Sequence, residues 1–442
     1  MEKKIYIIQP TYRKMDGKKV KGWNQFNHSY NIPMLSGAVP DDWKKDTCIE
    51  YFEEINYETD AGIILLLCMG YDIMYAREVA DEFKRLGKTV IFGSHLDKFS
   101  EKILFEASDS VIHGSPGRKE MKMVLDDALY GRLKKVYDFG TDLNYRFDYS
   151  SLKNIRMPYI QAVMGTGCRN NCDYCCTAGV YNGKYRMRKI SMVIGELKEI
   201  SKLNKYAAFN DSNIYNNALY LRRLCREITA NKIGIKWGGQ ATIDIGNDDE
   251  TLAALYESGC RILYIGFETI SHKNLKSISK SFNPDKYKEL TAKIRSHGIA
   301  VAGYFMFGFD DDNKDTFEKT WEFIKDAKIT LPLLNVLLPV PGTRVYDRLK
   351  QQNRLRFPDE IEFGNTSPLY SVPCYKCYFK PLNISSALLE KKYLELYRKA
   401  SRIPEMIKRS LSSSFSDSVK FFLMNYGLRK EYRKMKSEFG NV

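Results

Sequence analysis

No apolar run in the chain approaches the ~18 residues that a membrane-spanning helix needs, which argues against an integral membrane protein. The opening segment, Met1-Glu-Lys-Lys-Ile-Tyr-Ile-Ile-Gln-Pro10, lacks the apolar core of a secretory signal, so the expected compartment is the cytoplasm. Acidic residues are in deficit: 54 Asp and Glu face 69 Lys and Arg, a formal net charge of +15. Such a balance favours anionic partners, whether phosphorylated substrates, nucleic acid or anionic lipid headgroups. The basic residues are scattered and carry no RNA-binding signature, which disfavours nucleic acid. Ten cysteines without a secretory signal point to thiol or metal chemistry in a reducing compartment, not to a disulfide framework. With 442 residues, 44% of them hydrophobic, the chain is long enough for two or three domains with substantial cores.

Three cysteines decide the chemistry. Cys168, Cys172 and Cys175 stand in Gly165-Thr-Gly-Cys-Arg-Asn-Asn-Cys-Asp-Tyr-Cys-Cys176, a Cys-x3-Cys-x2-Cys spacing with Tyr174 before the third thiol. Three thiolates on one short loop can hold three irons of a [4Fe–4S] cluster and leave the fourth iron open to a substrate or cofactor. Zinc is the alternative, but the loop contains no His, and structural zinc sites usually come as paired knuckles. Buried, inert thiols are the bland reading. Cys176 reads as a bystander.

The pattern of apolar runs gives an α/β fold class. Residues 1–135 read as a Rossmann-like, doubly wound domain, with strands at 4–9, 62–68, 89–93 and 110–114 and a helix from Tyr71 to Gly87. Residues 136–158 read as a connector. Residues 159–350 repeat a strand–helix unit six times. Strands are expected at 159–165, 205–210, 234–240, 261–267, 299–307 and 333–338, which suits a partial (β/α)6 barrel with its ligands at the carboxyl ends of the strands. The cysteine loop follows the first of these strands and therefore lies on that rim. Residues 351–442 read as a small, mostly helical C-terminal domain. Its tail from residue 403 carries eight Lys and Arg against four Asp and Glu, interleaved with Phe415, Phe421, Phe422, Leu423, Met424 and Tyr426. That composition suits a helix packed on the barrel, or a peripheral membrane contact.

The cysteine loop resembles the signature of the radical S-adenosylmethionine (SAM) superfamily. Further segments resemble the branch with an N-terminal cobalamin-binding-type domain. They are Val39-Pro-Asp-Asp-Trp43, Val90-Ile-Phe-Gly-Ser-His95, Gly183-Lys-Tyr-Arg-Met-Arg188, Phe209-Asn-Asp-Ser-Asn213, Gly259-Cys-Arg-Ile-Leu-Tyr-Ile-Gly-Phe-Glu268, Phe305-Met-Phe-Gly-Phe-Asp310 and Leu338-Pro-Val-Pro-Gly-Thr343. Together they cover about residues 35–345 in order. The resemblance implies that SAM chelates the open iron and is cleaved by one electron. The resulting 5′-deoxyadenosyl radical would abstract hydrogen from an unactivated carbon of a small-molecule, lipid or natural-product substrate, as in a biosynthetic enzyme. It also implies a reducing partner such as flavodoxin or ferredoxin. The alternative within the branch is a cobalamin-dependent C-methyltransferase.

Residue roles follow from that resemblance and from position. Tyr174 is placed near the SAM adenine. Asn210, Asp211 and Asn213 end the second barrel strand, where the SAM ammonium needs acceptors, and Gln240 ends the third. Glu268 ends the fourth, where a carboxylate can accept the ribose hydroxyls. Pro339 and Gly342 shape the turn after the sixth. The competing readings are helix caps for Asp211 and Asn213, and a surface ion pair for Glu268. The N-terminal domain departs from a cobalamin cradle. Its loops carry Cys68-Met-Gly-Tyr71, Gly93-Ser-His-Leu-Asp97 and His113-Gly-Ser-Pro-Gly117 where small residues are wanted. The bulk of Met69, Tyr71 and His95 predicts weak or absent cobalamin binding and, if the cofactor binds, no strict need for His95. Cys374, Tyr375 and Cys377 suggest a redox pair or substrate lid, with buried structural cysteine as the alternative. An RNA- or protein-modifying methylthiotransferase would need a second three-cysteine site, and residues 1–150 hold only Cys48 and Cys68.

Overall fold

A computed structural model describes residues 2–13, 17–22, 30–67, 73–94, 101–141, 143–356, 375–412 and 414–438. The first sheet contains β1 (Lys4–Gln9), β2 (Lys44–Ile49), β3 (Ile63–Leu67), β4 (Thr89–Ser94), β5 (Ser110–Ser115) and β6 (Val136–Thr141). Their order is β2-β1-β3-β4-β5-β6, with every neighbouring pair parallel. Helices Ile73–Arg85 and Arg118–Leu129 show why the sheet is doubly wound. Each buries one stripe, Ala76, Val79, Ala80 and Phe83 on the first and Met121, Val124, Leu125 and Ala128 on the second. A parallel sheet needs such helical cover. The chain order reverses at β1, so the crevice beyond the carboxyl ends of β1 and β3 is the expected ligand position of this topology.

Two strands correct the sequence reading. β2, Lys-Lys-Asp-Thr-Cys-Ile, is largely exposed, and β6 alternates between exposed and covered residues. Both are sheet edges, so neither is the apolar run by which the central strands announce themselves. Residues 136–141 are therefore part of the first sheet, not of a connector.

After β7 (Ile160–Ala162), a small two-stranded sheet joins β8 (Gly165–Gly167) to β9 (Tyr185–Met187), the two ends of the cysteine segment. The second large sheet continues with β10 (Tyr206–Phe209), β11 (Lys236–Ala241), β12 (Cys260–Glu268), β13 (Ala300–Phe307) and β14 (Leu331–Val336). Its order, β14-β13-β12-β11-β10-β7, is strictly sequential, as successive βα units of a partial barrel require. Helices Ile190–Leu203, Ala218–Ala230, Asp249–Glu257, Tyr287–Ser296, Thr316–Asp326 and Arg344–Gln351 follow the strands. Asn217, Asp248 and Thr343 cap three of them by accepting backbone N–H groups.

Two compact units result. One holds residues up to 164 with Met187–Ala208. The other holds Gly165–Arg186, residues 209–356 and the C-terminal helices. Sequence reading had placed 159–350 in one domain. The reason for the difference is Arg188. Its side chain is 2% exposed and its guanidinium meets both carboxylate oxygens of Glu196, at 2.6 and 2.8 Å. It also donates to the carbonyls of Leu143, Tyr145 and Val163, and lies 3.9 Å from the Phe147 ring centroid. This satisfied network joins helix Ile190–Leu203 to the first unit.

The C-terminal region is helical: Ser386–Ala400, Ile403–Ser410 and Phe415–Glu438. Ser385 caps the first by accepting from Leu388 N–H at 3.2 Å, and Tyr393 donates to the Leu334 carbonyl at 2.8 Å, tying that helix to β14. Asn425 donates to the Thr330 carbonyl at 2.9 Å, which fixes the last helix to the same end of the sheet. Among the described residues no helix is long and apolar enough to cross a membrane.

Candidate functional site

The cysteine loop leaves β8 and ends in helix Cys176–Tyr181, with Cys175 as its N-cap. Cys168 and Cys172 are buried, Cys175 is half-buried and Cys176 is exposed. Burial pushes the Cys168 thiol up, offset by the Asn170 N–H, which donates to its Sγ at 3.4 Å. Burial also raises Cys172, to about 11, opposed by the charge of Lys280. The thiols of Cys168 and Cys175 raise it further, so the three are near enough to feel one another's charge. Three neighbouring thiols opposite one buried ammonium are a donor set that gains by losing protons to iron. Among the described residues no three His, Cys, Asp or Glu side chains converge on a single ion. Ligands of a cubane each bind a different iron and need not converge on one point.

Glu268 ends β12 in a strained turn. The register with β13 shifts between Gly266 and Glu268, and Glu268 has φ +62°. Such a bulge re-aims a side chain, at a cost of about 1 kcal/mol for a residue that is not glycine. The carboxylate turned inward meets Lys280 Nζ at 2.9 Å, and Lys280 also donates to the Gly266 carbonyl at 2.6 Å. A Cβ on Gly266 would sit 2.4 Å from Glu268 Oε1, so only glycine fits beneath the pair. Both side chains are less than 10% exposed. The ion pair foreseen for Glu268 exists, but it is buried and faces the cysteine loop. Tyr174, half-buried, has its phenol held well above the ordinary tyrosine range by burial and by the Glu268 and Cys172 charges.

The loop after β10 carries the other predicted residues. Asn213 is 4% exposed and accepts from the Tyr215 N–H at 3.0 Å, so it is the cap that sequence reading offered as its alternative role. Its side chain also lowers the Cys168 thiol, which keeps it at the cluster loop. Asp211 is 2% exposed, and its charge bears on the buried phenol of Tyr185. Asn210 and Gln240 are half-buried; Gln240 lies on β11 opposite Tyr264. Pro339 is buried and Gly342, φ +82°, is exposed in the turn after β14.

Four residues of this site escaped sequence reading. Arg344, just past that turn, donates to Asp173 Oδ1 from Nε and Nη2 at 2.9 and 2.7 Å, and to Asn171 Oδ1 at 3.0 Å. Asn216 accepts from the Arg169 N–H at 3.0 Å. Lys280 faces the thiols, and Tyr185 holds a buried hydroxyl with no hydrogen-bond partner among the described residues. Tyr185 stood inside a segment already singled out, Gly183 to Arg188; the others gave no local signal.

Cys377 is buried. It donates to the Phe379 carbonyl at 3.2 Å, its N–H bonds Glu390 at 2.8 Å, and Tyr375 and Tyr378 are buried beside it in the chain. Cys374 lies outside the described residues, as do Cys68, Met69, Tyr71 and His95. Of the crowding expected in the first sheet, only His113 and Gly114 are described. His113 is half-buried, and a Cβ on Gly114 would meet the Phe139 carbonyl at 1.9 Å, so β6 explains that glycine. At the opposite side of this edge, Gln9 ends β1 at the reversal of strand order. It is 1% exposed, and among the described residues neither its Oε1 nor its Nε2 has a hydrogen-bond partner. Its backbone is fixed: the Glu50 N–H donates to the Gln9 carbonyl at 3.0 Å, and the buried Glu50 carboxylate binds Thr11, Lys19 and Tyr75. A buried amide without partners costs stability, and this one waits on a rigid edge where such sheets bind ligands.

Comparison with known proteins bears on these features. The family model described as the radical SAM superfamily matches residues 162–324. The bacteriochlorophyllide d C-12(1)-methyltransferase of Chlorobaculum tepidum is 27% identical over 80% of this chain and 78% of its own length. The bacteriochlorophyllide d C-8(2)-methyltransferase of the same organism is 23% identical over 83% of this chain and 84% of its own. Among solved structures, the radical S-adenosylmethionine methyltransferase TsrM from Kitasatospora setae, with cobalamin and a [4Fe–4S] cluster bound, superposes with a TM-score of 0.70. The match covers 99% of this chain and 100% of that one at 13% identity, a likeness of fold.

Proposed function

We propose that the chain, whose residues 162–324 match the radical SAM superfamily and whose fold is like that of a cobalamin-bound methyltransferase, is a cobalamin-dependent methyltransferase acting on a carbon atom. The observation that carries this reading is its similarity, over four-fifths of the chain, to two enzymes whose names specify methylation at carbon positions. The reading moves ahead of simple hydrogen abstraction, and it revises the expectation of weak cobalamin binding. Support within the chain comes from Gln9, whose buried carboxamide suits the carboxamide-fringed corrin ring and has no hydrogen-bond partner among the described residues.

When bound, the cluster supplies an electron and an open iron for SAM, and cobalamin supplies a methyl carrier. Cys168, Cys172 and Cys175 would hold the cluster. Lys280 counters the charge of these thiolates and pairs with Glu268 at 2.9 Å. Glu268 then presents a carboxylate for the ribose hydroxyls. Asn210, Asp211 and Asn213 offer acceptors to the SAM ammonium, and Tyr174 with the Pro339–Gly342 turn flanks the adenine. Gln9 would bond the corrin amides.

The test is anaerobic reconstitution with iron, sulfide and hydroxocobalamin, followed by SAM with a deuterated methyl group and a reductant. S-adenosylhomocysteine formed only when cobalamin is present supports methyl transfer. Cleavage of SAM to 5′-deoxyadenosine and methionine alone, with no S-adenosylhomocysteine under any condition, would restore hydrogen abstraction as the sole chemistry.

A further inference from the structure

We infer that the C-terminal helices dock the enzyme on an anionic lipid surface. Six large apolar side chains between Ile403 and Leu423 are turned to solvent: Ile403 and Ile407 on one helix, Phe415, Val419 and Leu423 on the next, and Leu411 in the connection. Ile403, Ile407, Leu411, Phe415, Val419 and Leu423 are 45, 48, 65, 86, 42 and 61% exposed. Exposed apolar residues scattered singly need no explanation, whereas Phe415, Val419 and Leu423, stacked at successive turns on one face of the last helix, mark an interaction surface.

These side chains are not a core face left open by loose packing, because each helix already has its core face filled. On helix Phe415–Glu438 the buried residues Phe421, Asn425 and Leu428 lie on the side opposite Phe415, Val419 and Leu423. Asn425 accepts from Arg409 Nη2 at 2.8 Å and donates to Ser410 Oγ at 3.3 Å, which fixes helix Ile403–Ser410 against it by its inner side. Ile403 and Ile407 are one turn apart on the outer side.

Charge selects the occupant. Lys430 and Lys434 continue the face begun by Phe415, Val419 and Leu423, seven and eleven residues beyond Leu423, and both are exposed. Arg402 and Lys408 are exposed beside Ile403 and Ile407. Asp417, buried on the last helix, is paired with Lys236 at 2.9 Å. An apolar stripe bordered by long basic side chains fits a bilayer interface with negative headgroups. The apolar groups enter the acyl boundary and the ammonium groups meet phosphate. This conclusion rests on the C-terminal helices alone and stands apart from the reading of the chemistry.

Flotation of the full chain with vesicles of phosphatidylcholine, alone or mixed with phosphatidylglycerol, tests it. The protein is expected to float with the mixed vesicles, to do so less as salt rises, and to stay behind with phosphatidylcholine alone. The variant Phe415→Ser/Leu423→Ser should lose at least about tenfold in partitioning with an unchanged melting temperature, since both side chains are exposed. Lys430→Glu/Lys434→Glu should lose binding to the mixed vesicles as well. No flotation of the wild-type chain at low salt would overturn the inference. So would flotation unaffected by the serine pair, which would mean charge adsorption without insertion. So would lipid-free self-association that the serine pair abolishes, because the stripe would then be an interface between copies of the chain.

Discussion

Arg344 holds Asp173 by two donors, at 2.9 and 2.7 Å, across 171 residues of sequence. Asp173 lies directly after Cys172, and Arg344 opens the helix that follows the last strand of the second sheet. The Asp173 carbonyl also accepts from the Val345 N–H at 3.1 Å, so the loop is held by backbone as well as side chain. Arg344→Ala should loosen the loop between Cys172 and Cys175. Because Arg344 is half-exposed, the cost is about 1 kcal/mol, and it should appear as faster iron release to a chelator, not as unfolding. Chelator kinetics equal to wild type would remove the clamp from cluster retention.

The ligand set is tested by cysteine deletion. Cys168→Ala, Cys172→Ala and Cys175→Ala should each abolish the cluster in anaerobically reconstituted protein, and Cys176→Ala, exposed beyond the loop, should keep about four irons. Equal iron loss for Cys175→Ala and Cys176→Ala would mean the triad is misassigned.

The buried pair changes how Glu268 must be tested. Glu268→Gln leaves Lys280 buried and uncompensated, which costs about 3–5 kcal/mol of stability. Glu268→Gln/Lys280→Met should recover most of that loss. Its SAM affinity should nonetheless stay lower by about 1–3 kcal/mol, the scale of a lost charge-assisted hydrogen bond. Wild-type SAM affinity in the double variant would show that Glu268 serves the fold alone.

Gln9→Leu separates a ligand contact from a structural one. It should lower retention of hydroxocobalamin, read by corrin absorbance after gel filtration. The cofactor-free protein should melt no lower than wild type, because a buried amide without partners is removed. If wild type retains no cobalamin, the methyl-transfer proposal falls. If both proteins retain it equally, only the role of Gln9 falls.

Asp312 gives a pH dependence. Burial raises its carboxyl to about 6, against the Gly308 and Phe309 N–H groups and the Asn274 amide that it accepts. The folded state therefore holds this proton more tightly than the unfolded chain, whose value is 3.8. Stability should fall as pH rises from about 4 to about 6, by about 2–3 kcal/mol at most. Asp312→Asn should flatten that window in urea titrations of the full chain. An unchanged pH profile in the variant would assign the dependence to another group.

What the sequence determined by itself is local. The thiol spacing is a property of eight consecutive residues. The βα units of the second sheet were legible because strands such as β12 and β13 are largely apolar and the helices between strands bury a periodic stripe. The caps Asn217 and Asp248 are local too, because each accepts an N–H within one turn of its own helix. Tertiary structure decided the rest. β2 and β6 are edges, half exposed, so their residues carry no apolar run. Lys280 and Arg344 are ordinary basic residues until the fold brings them to Glu268, 12 residues away, and Asp173, 171 residues away. Gln9 and the apolar side chains turned to solvent between Ile403 and Leu423 stand out only once burial and exposure are known. Periodicity states which face of an element is apolar; whether that face meets a core or solvent depends on what packs against it.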